Sequence, residues 1–122
     1  MTQTMELAPK AASVRAARLF AAGVLDADGV ESSVIELAVL LVSELVTNAA
    51  VHAHSGVRVT VHVDSHWVRI EVEDEGPGEP MLGGLTPEQV KGRGLAVVDR
   101  LSTDWGADLH DDHKVVWFEI AR

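Results

Sequence analysis

Apolar residues crowd nearly every position of residues 40–53, LLVSELVTNAAVHA, and the few polar ones fall on one stripe. That is the pattern of a long, mostly buried helix. At about 100° of turn per residue, Glu44 and Asn48 lie about 40° apart and His52 about 40° further round, so the three point the same way. Upstream, Ser33 and Glu36 stand at the spacing of a capping box, which predicts a second helix of about 20 residues, or about 30 Å, that stops before Ser55 and Gly56. A first helix is expected over residues 9–25. Pro9 opens it, Val14, Ala17, Ala21 and Leu25 share one face, and Asp26, Asp28 and Gly29 end it. Residues 1–8 read as a flexible arm or a short edge strand.

From Val57 the period switches to two. Val57, Val59, Val61 and Val63 alternate with Arg58, Thr60 and His62, and after a tight turn Val68, Ile70 and Val72 alternate with Arg69, Glu71 and Glu73. This predicts an antiparallel hairpin with one face on the core. Residues 74–91 hold four glycines and three prolines without a period, which predicts a long loop of the kind that carries function. A third helix over residues 94–101 and two short strands over 105–109 and 115–120 complete the expectation. The fold class is α+β: a two-layer α/β sandwich with three helices on one face of a mixed, mainly antiparallel sheet, in one domain over residues 9–122.

Composition narrows the function. The chain of 122 residues has a formal net charge of −9 and no basic run, which argues against direct nucleic-acid binding. It has no cysteine, so disulfides, thiolate metal sites and cysteine nucleophiles are excluded. No signal-peptide core is visible and no run approaches the ~20 apolar residues of a membrane span. A soluble, cytoplasmic protein without a membrane partner is the expectation.

Three constellations occur in order: Glu44-x-x-x-Asn48-x-x-x-His52 on a helix, Asp74-x-Gly76-x-Gly78 after a strand, and Gly92-Arg93-Gly94-Leu95 opening a helix. Together they resemble the nucleotide-binding boxes of the GHKL superfamily of ATPases. The wording SELVTNAAVHA, DEGPGEP and GRGLAVVDRLSTDWG is most similar to the anti-sigma-factor serine kinases of bacterial partner-switching systems, over residues 9–120.

The residue chemistry points the same way. A carboxylate and a carboxamide in a core helix need a partner. Asn48 offers a hard oxygen ligand for magnesium. Glu44, one turn earlier, is placed to act as general base in phosphoryl transfer. Spacing alone also fits a solvent-facing polar stripe, and His52 reads equally as a phosphate contact or a plain helix-end histidine. Asp74 can accept a hydrogen bond from an exocyclic amine, which the resemblance makes that of adenine, or can belong to an ordinary acidic turn. Gly76 and Gly78 allow close backbone approach to the base. Gly92, Gly94 and Leu95 put backbone amides at a helix start, where the dipole favours an anion, with Lys91 or Arg93 as added cations; a glycine-rich helix start without ligand is the plain alternative. Residues 79–91, with Gly83 and Gly84, would form a lid.

Other features carry less. His62 and His66 lie on the hairpin, and His110 and His113 flank Asp111 and Asp112, where a solvated turn is a simpler reading than a metal site. Trp105 and Trp117 are expected in or beside the sheet, and Trp67 on its polar face. Relatives commonly have a glycine-lysine-threonine run entering the last strand, where this chain has His113-Lys114-Val115. A hydroxyl that helps to hold adenine through water is therefore missing, which puts ATP affinity in question. The resemblance implies ATP and Mg2+ as cofactors, a sigma factor and its antagonist as partners, and a homodimer. The alternative function is a nucleotide-sensing binding module without kinase turnover.

Overall fold

The computed structural model describes residues 1–52, 55–75 and 95–122, with the backbone alone at His52. β1 (Thr2–Leu7) leads through a turn to α1 (Ala12–Ala27) and α2 (Ser32–Val46), and α2 continues as a π-helical segment, Thr47–His52. The hairpin β2 (Val57–Val63) and β3 (Trp67–Asp74) follows, then α3 (Ala96–Leu101), β4 (Asp104–Leu109) and β5 (Lys114–Ala121). The five strands form one sheet in the order β1-β2-β3-β5-β4. All four pairings are antiparallel, so the parallel pairing that a mixed sheet would require is absent among the described residues.

Alternation sets the two faces of the sheet. Val57, Val59, Val61 and Val63 of β2, Val68, Ile70 and Val72 of β3, and Val116, Phe118 and Ile120 of β5 are buried under the helices. Each such side chain contributes about 1.5–3 kcal/mol relative to exposure. The helix layer meets them with Leu25 of α1 and Leu41, Val42 and Val46 of α2, while Ala17, Ala21 and Ala38 are fully buried small residues. The opposite face is a ladder of paired charges. Arg69 donates to Glu71 at 2.9 Å and to Glu119 at 3.1 Å, and its guanidinium lies 4.1 Å from the Trp117 ring. The cost of partly burying this guanidinium is outweighed by those two carboxylates, so its pKa stands above the ordinary arginine value.

Helix ends show where local signals held and failed. α1 closes on Gly29 in the left-handed region, φ +73. The Gly29 amide donates to Asp26 at 3.1 Å and the Val30 amide to Leu25 at 3.0 Å, the two bonds of a Schellman motif. The expected capping box does not form. α2 begins at Ser32 with Glu31 as its N-cap and no side-chain cap bond, and the Glu31 carbonyl accepts from the Val34 and Ile35 amides, so Ser33 already lies inside the helix rather than at the N-cap a capping box needs. The Glu31 carboxylate instead pairs with Arg122 at 3.1 Å. The hairpin turn is an Asx turn: Asp64 Oδ1 accepts from the His66 and Trp67 amides at 2.7 and 3.1 Å. The His66 bond foremost lowers the Asp64 pKa.

The expectation of no membrane-length run needs correcting. Residues Ser32–Val51 are long and apolar enough to span a bilayer, at mean hydropathy 1.9. Here that helix is the central one of a soluble-domain fold: it contacts α1, β3, β5 and α3, and its inward residues form the core.

Candidate functional site

Glu44 and Asn48 sit one helical turn apart and both are half-buried, each just before a buried pair, Leu45–Val46 and Ala49–Ala50. The helix changes character between them, since the π segment begins at Thr47. A π turn takes more residues than an α turn, and such segments occur frequently at functional sites. Four residues therefore no longer complete one turn beyond Asn48. The even 40° steps expected for a straight α-helix stop there. The side chain of His52 lies outside the described residues.

Asp74 is the last residue of β3 and follows Val68, Ile70 and Val72 onto the buried face, where it is 4% exposed. A carboxylate there needs partners. One is Lys114, directly opposite in the β3–β5 register, with Nζ 3.3 Å from Asp74 Oδ2 and its own side chain 15% exposed.

Ser55 joins the two halves. Its amide donates to the Ala49 carbonyl at 3.0 Å, which closes the π segment. Its buried hydroxyl accepts from the Glu75 amide at 2.9 Å and donates to the Gly56 carbonyl at 3.0 Å. The segment that bears Asn48 is thus tied by two hydrogen bonds to the strand end that bears Asp74. Sequence reasoning did not single out Ser55 or the pairing role of Lys114, and the only trace of Ser55 was a small polar residue at a predicted helix stop.

The third constellation is described from Leu95 onward. Leu95 is buried and serves as N-cap of α3. α3 touches α2 and is anchored to β4, where Trp105 Nε1 donates to Asp99 Oδ1 at 2.7 Å. Lys91, Gly92, Arg93 and Gly94, like Gly76, Gly78 and the expected lid, lie outside the described residues.

A protein-family model described as the histidine kinase-like ATPase domain matches residues 7–120. The chain belongs to that family. Among solved structures, this histidine kinase-like ATPase domain is similar to the crystal structure of the RsbU and RsbW domains of Rv1364c from Mycobacterium tuberculosis, with a TM-score of 0.78 and 20% identity. The match covers 100% of this chain and 33% of that one, so the present chain spans about a third of its length. At that identity the likeness shows the fold, a helix layer on an antiparallel sheet. No curated protein matches the chain.

The register also revises the reading of Val115. Val115 pairs with Glu73 and Lys114 with Asp74, and cross-strand partners share a face. Val115 therefore lies on the face away from Asp74, and a hydroxyl there would not reach the carboxylate's side of the sheet. The residue that faces Asp74 is Lys114. Near it, His110 and His113 stack with ring centroids 4.3 Å apart, and His113 Nδ1 lies 2.7 Å from Asp112 Oδ1. Among the described residues no group of three or more metal-ligating side chains gathers.

Proposed function

We propose that this histidine kinase-like ATPase domain binds Mg-ATP beside α2 and the end of β3, and that it is a protein serine kinase that binds a sigma factor and phosphorylates that factor's antagonist. The observation that carries the reading is the half-buried pair Glu44 and Asn48 on the central helix, bracketed through Ser55 to the strand end that holds Asp74. The donor set suits the ligand: a carboxamide oxygen for a hard cation, and a buried carboxylate for an amine.

Bound Mg-ATP would supply the transferable phosphoryl group, with the metal offsetting its charge. The chain's own residues do the rest. Asn48 holds the metal through its side-chain oxygen. Glu44, one turn before it, accepts the proton of the attacking serine hydroxyl. Asp74 accepts from the exocyclic amine of the base. Leu95 and the start of α3, seated against α2, carry the phosphate-facing segment that includes Gly92, Arg93 and Gly94, with Lys91 and His52 as further phosphate contacts. The resemblance of SELVTNAAVHA and DEGPGEP to anti-sigma serine kinases supports the choice of acceptor and partners, and a homodimer acting in the cytoplasm completes the reading.

The test is incubation of the purified chain and its antagonist protein with γ-labelled ATP. Label should appear on an antagonist serine and be lost with Glu44→Gln. No transfer by protein that binds Mg-ATP overturns the kinase assignment.

A further inference from the structure

Asp74 does not face the base site alone. Lys114 stands opposite it in the β3–β5 register, its ammonium 3.3 Å from Asp74 Oδ2, with the two side chains only 15% and 5% exposed. A pair withdrawn this far from water is weak evidence for stability, because desolvation offsets most of the attraction. What it adds is chemistry: a carboxylate only accepts hydrogen bonds and an ammonium only donates them.

On the reading that Asp74 lies at the base site, we propose that Lys114 is a specificity-determining residue that reads the purine edge with Asp74 and admits 6-oxopurine as well as 6-aminopurine nucleotides. A 6-aminopurine presents an amine donor beside the N1 acceptor, and a 6-oxopurine presents an oxo acceptor beside an N1–H donor. A lone carboxylate satisfies the first pattern and repels the oxo group of the second. With the ammonium alongside, both patterns are met. Asp74 takes the amine and Lys114 donates to N1 in one; Lys114 donates to the oxo oxygen and Asp74 accepts from N1–H in the other. Lys114 is long and unbranched, so its head can shift between the two acceptors while staying beside the carboxylate.

Titration calorimetry of the full chain with Mg-ATP and with Mg-GTP tests this, on the wild type, Lys114→Met and Lys114→Arg, each checked for folding by thermal melting. The wild type should bind the two nucleotides with affinities within about tenfold. Lys114→Met should lose Mg-GTP by about 100-fold or more, because a buried oxo group is left facing a carboxylate without a donor, while Mg-ATP changes by about tenfold at most. Lys114→Arg, which keeps a donor, should retain measurable Mg-GTP binding. Wild-type binding of Mg-ATP with Mg-GTP more than about 100-fold weaker overturns the proposal and leaves the ATP site standing. Equal weakening of both nucleotides in a folded Lys114→Met overturns it too, since Lys114 would then only support Asp74. Failure of the wild type to bind either nucleotide overturns this inference and the ATP site together.

Discussion

Removing the Ser55 hydroxyl separates the two ends of the candidate site with little other change. In Ser55→Ala the Glu75 amide loses its 2.9 Å bond and keeps only a 3.4 Å contact to the Gly56 carbonyl. The Gly56 carbonyl in turn loses the 3.0 Å bond from the hydroxyl. Stranding a buried polar group costs about 1–3 kcal/mol. Glu75 is exposed, so water can replace part of its bonding, which puts the cost near 1 kcal/mol, the lower end of that range. At about 2.1 cal/mol/K per residue, the 122-residue chain has an unfolding entropy of about 0.26 kcal/mol/K, so the melting temperature should fall by about 4 °C. The functional effect should be larger than that fall suggests. The same hydroxyl fixes the spacing of the Asn48 segment and the Asp74 strand end, and loss of a hydrogen bond behind a ligand typically weakens binding by about 10–100-fold. Thermal melting by circular dichroism and calorimetry with Mg-ATP, both at one pH, measure the two effects. A variant that melts within about 1 °C of wild type and binds Mg-ATP equally well would show that the bracket neither stabilises nor positions.

Glu44→Gln keeps size and helix propensity while removing the base, so phosphoryl transfer should fall by about 10²–10⁴-fold with Mg-ATP affinity within about threefold of wild type; loss of binding and turnover in equal measure would point to a ligand role. Gly106→Ala places a Cβ 2.7 Å from Trp117 Cζ2 and 2.8 Å from its Nε1. The indole is held from above by Arg69, so overpacking should cost about 1–3 kcal/mol, read as a lower melting temperature, and an unchanged melt would mean that the ring moves freely. The hydrogen bond that the protonated His113 ring donates to the Asp112 carboxylate raises the pKa of His113 and lowers that of Asp112. The histidine's contribution to stability is therefore fully present below its ordinary pKa of about 6.5 and is lost as pH rises through the raised folded value. Histidine proton NMR should show His113 titrating above the ordinary histidine value of about 6.5 in the wild type, and Asp112→Asn should bring it down; no change would mean that the pair does not persist in solution.

Much of the fold was legible because hydrophobic periodicity is a local property. The two-residue alternation at Val57 to Val63 and Val68 to Val72 specified strands and their buried face, and the stop at Gly29 followed from its left-handed backbone. The capping box misled for an equally local reason: several nearby residues can start a helix, and this one starts at Glu31, which leaves Ser33 inside it. The candidates Glu44 and Asn48 came from spacing within one helix, and the candidate Asp74 from its place after an alternating strand.

What the chain alone determined, then, is which segments become helix or strand and which polar residues stand out on them, since neighbours in sequence decide both. Tertiary structure decided who meets whom. The pairing of Asp74 with Lys114, forty positions on, depends on the register of β3 against β5, and a slip of one residue would have turned Val115 toward the carboxylate instead. The Ser55 bracket likewise exists only because β3 returns beside the end of the central helix. Both are set by packing across the whole domain, which no stretch of sequence records by itself.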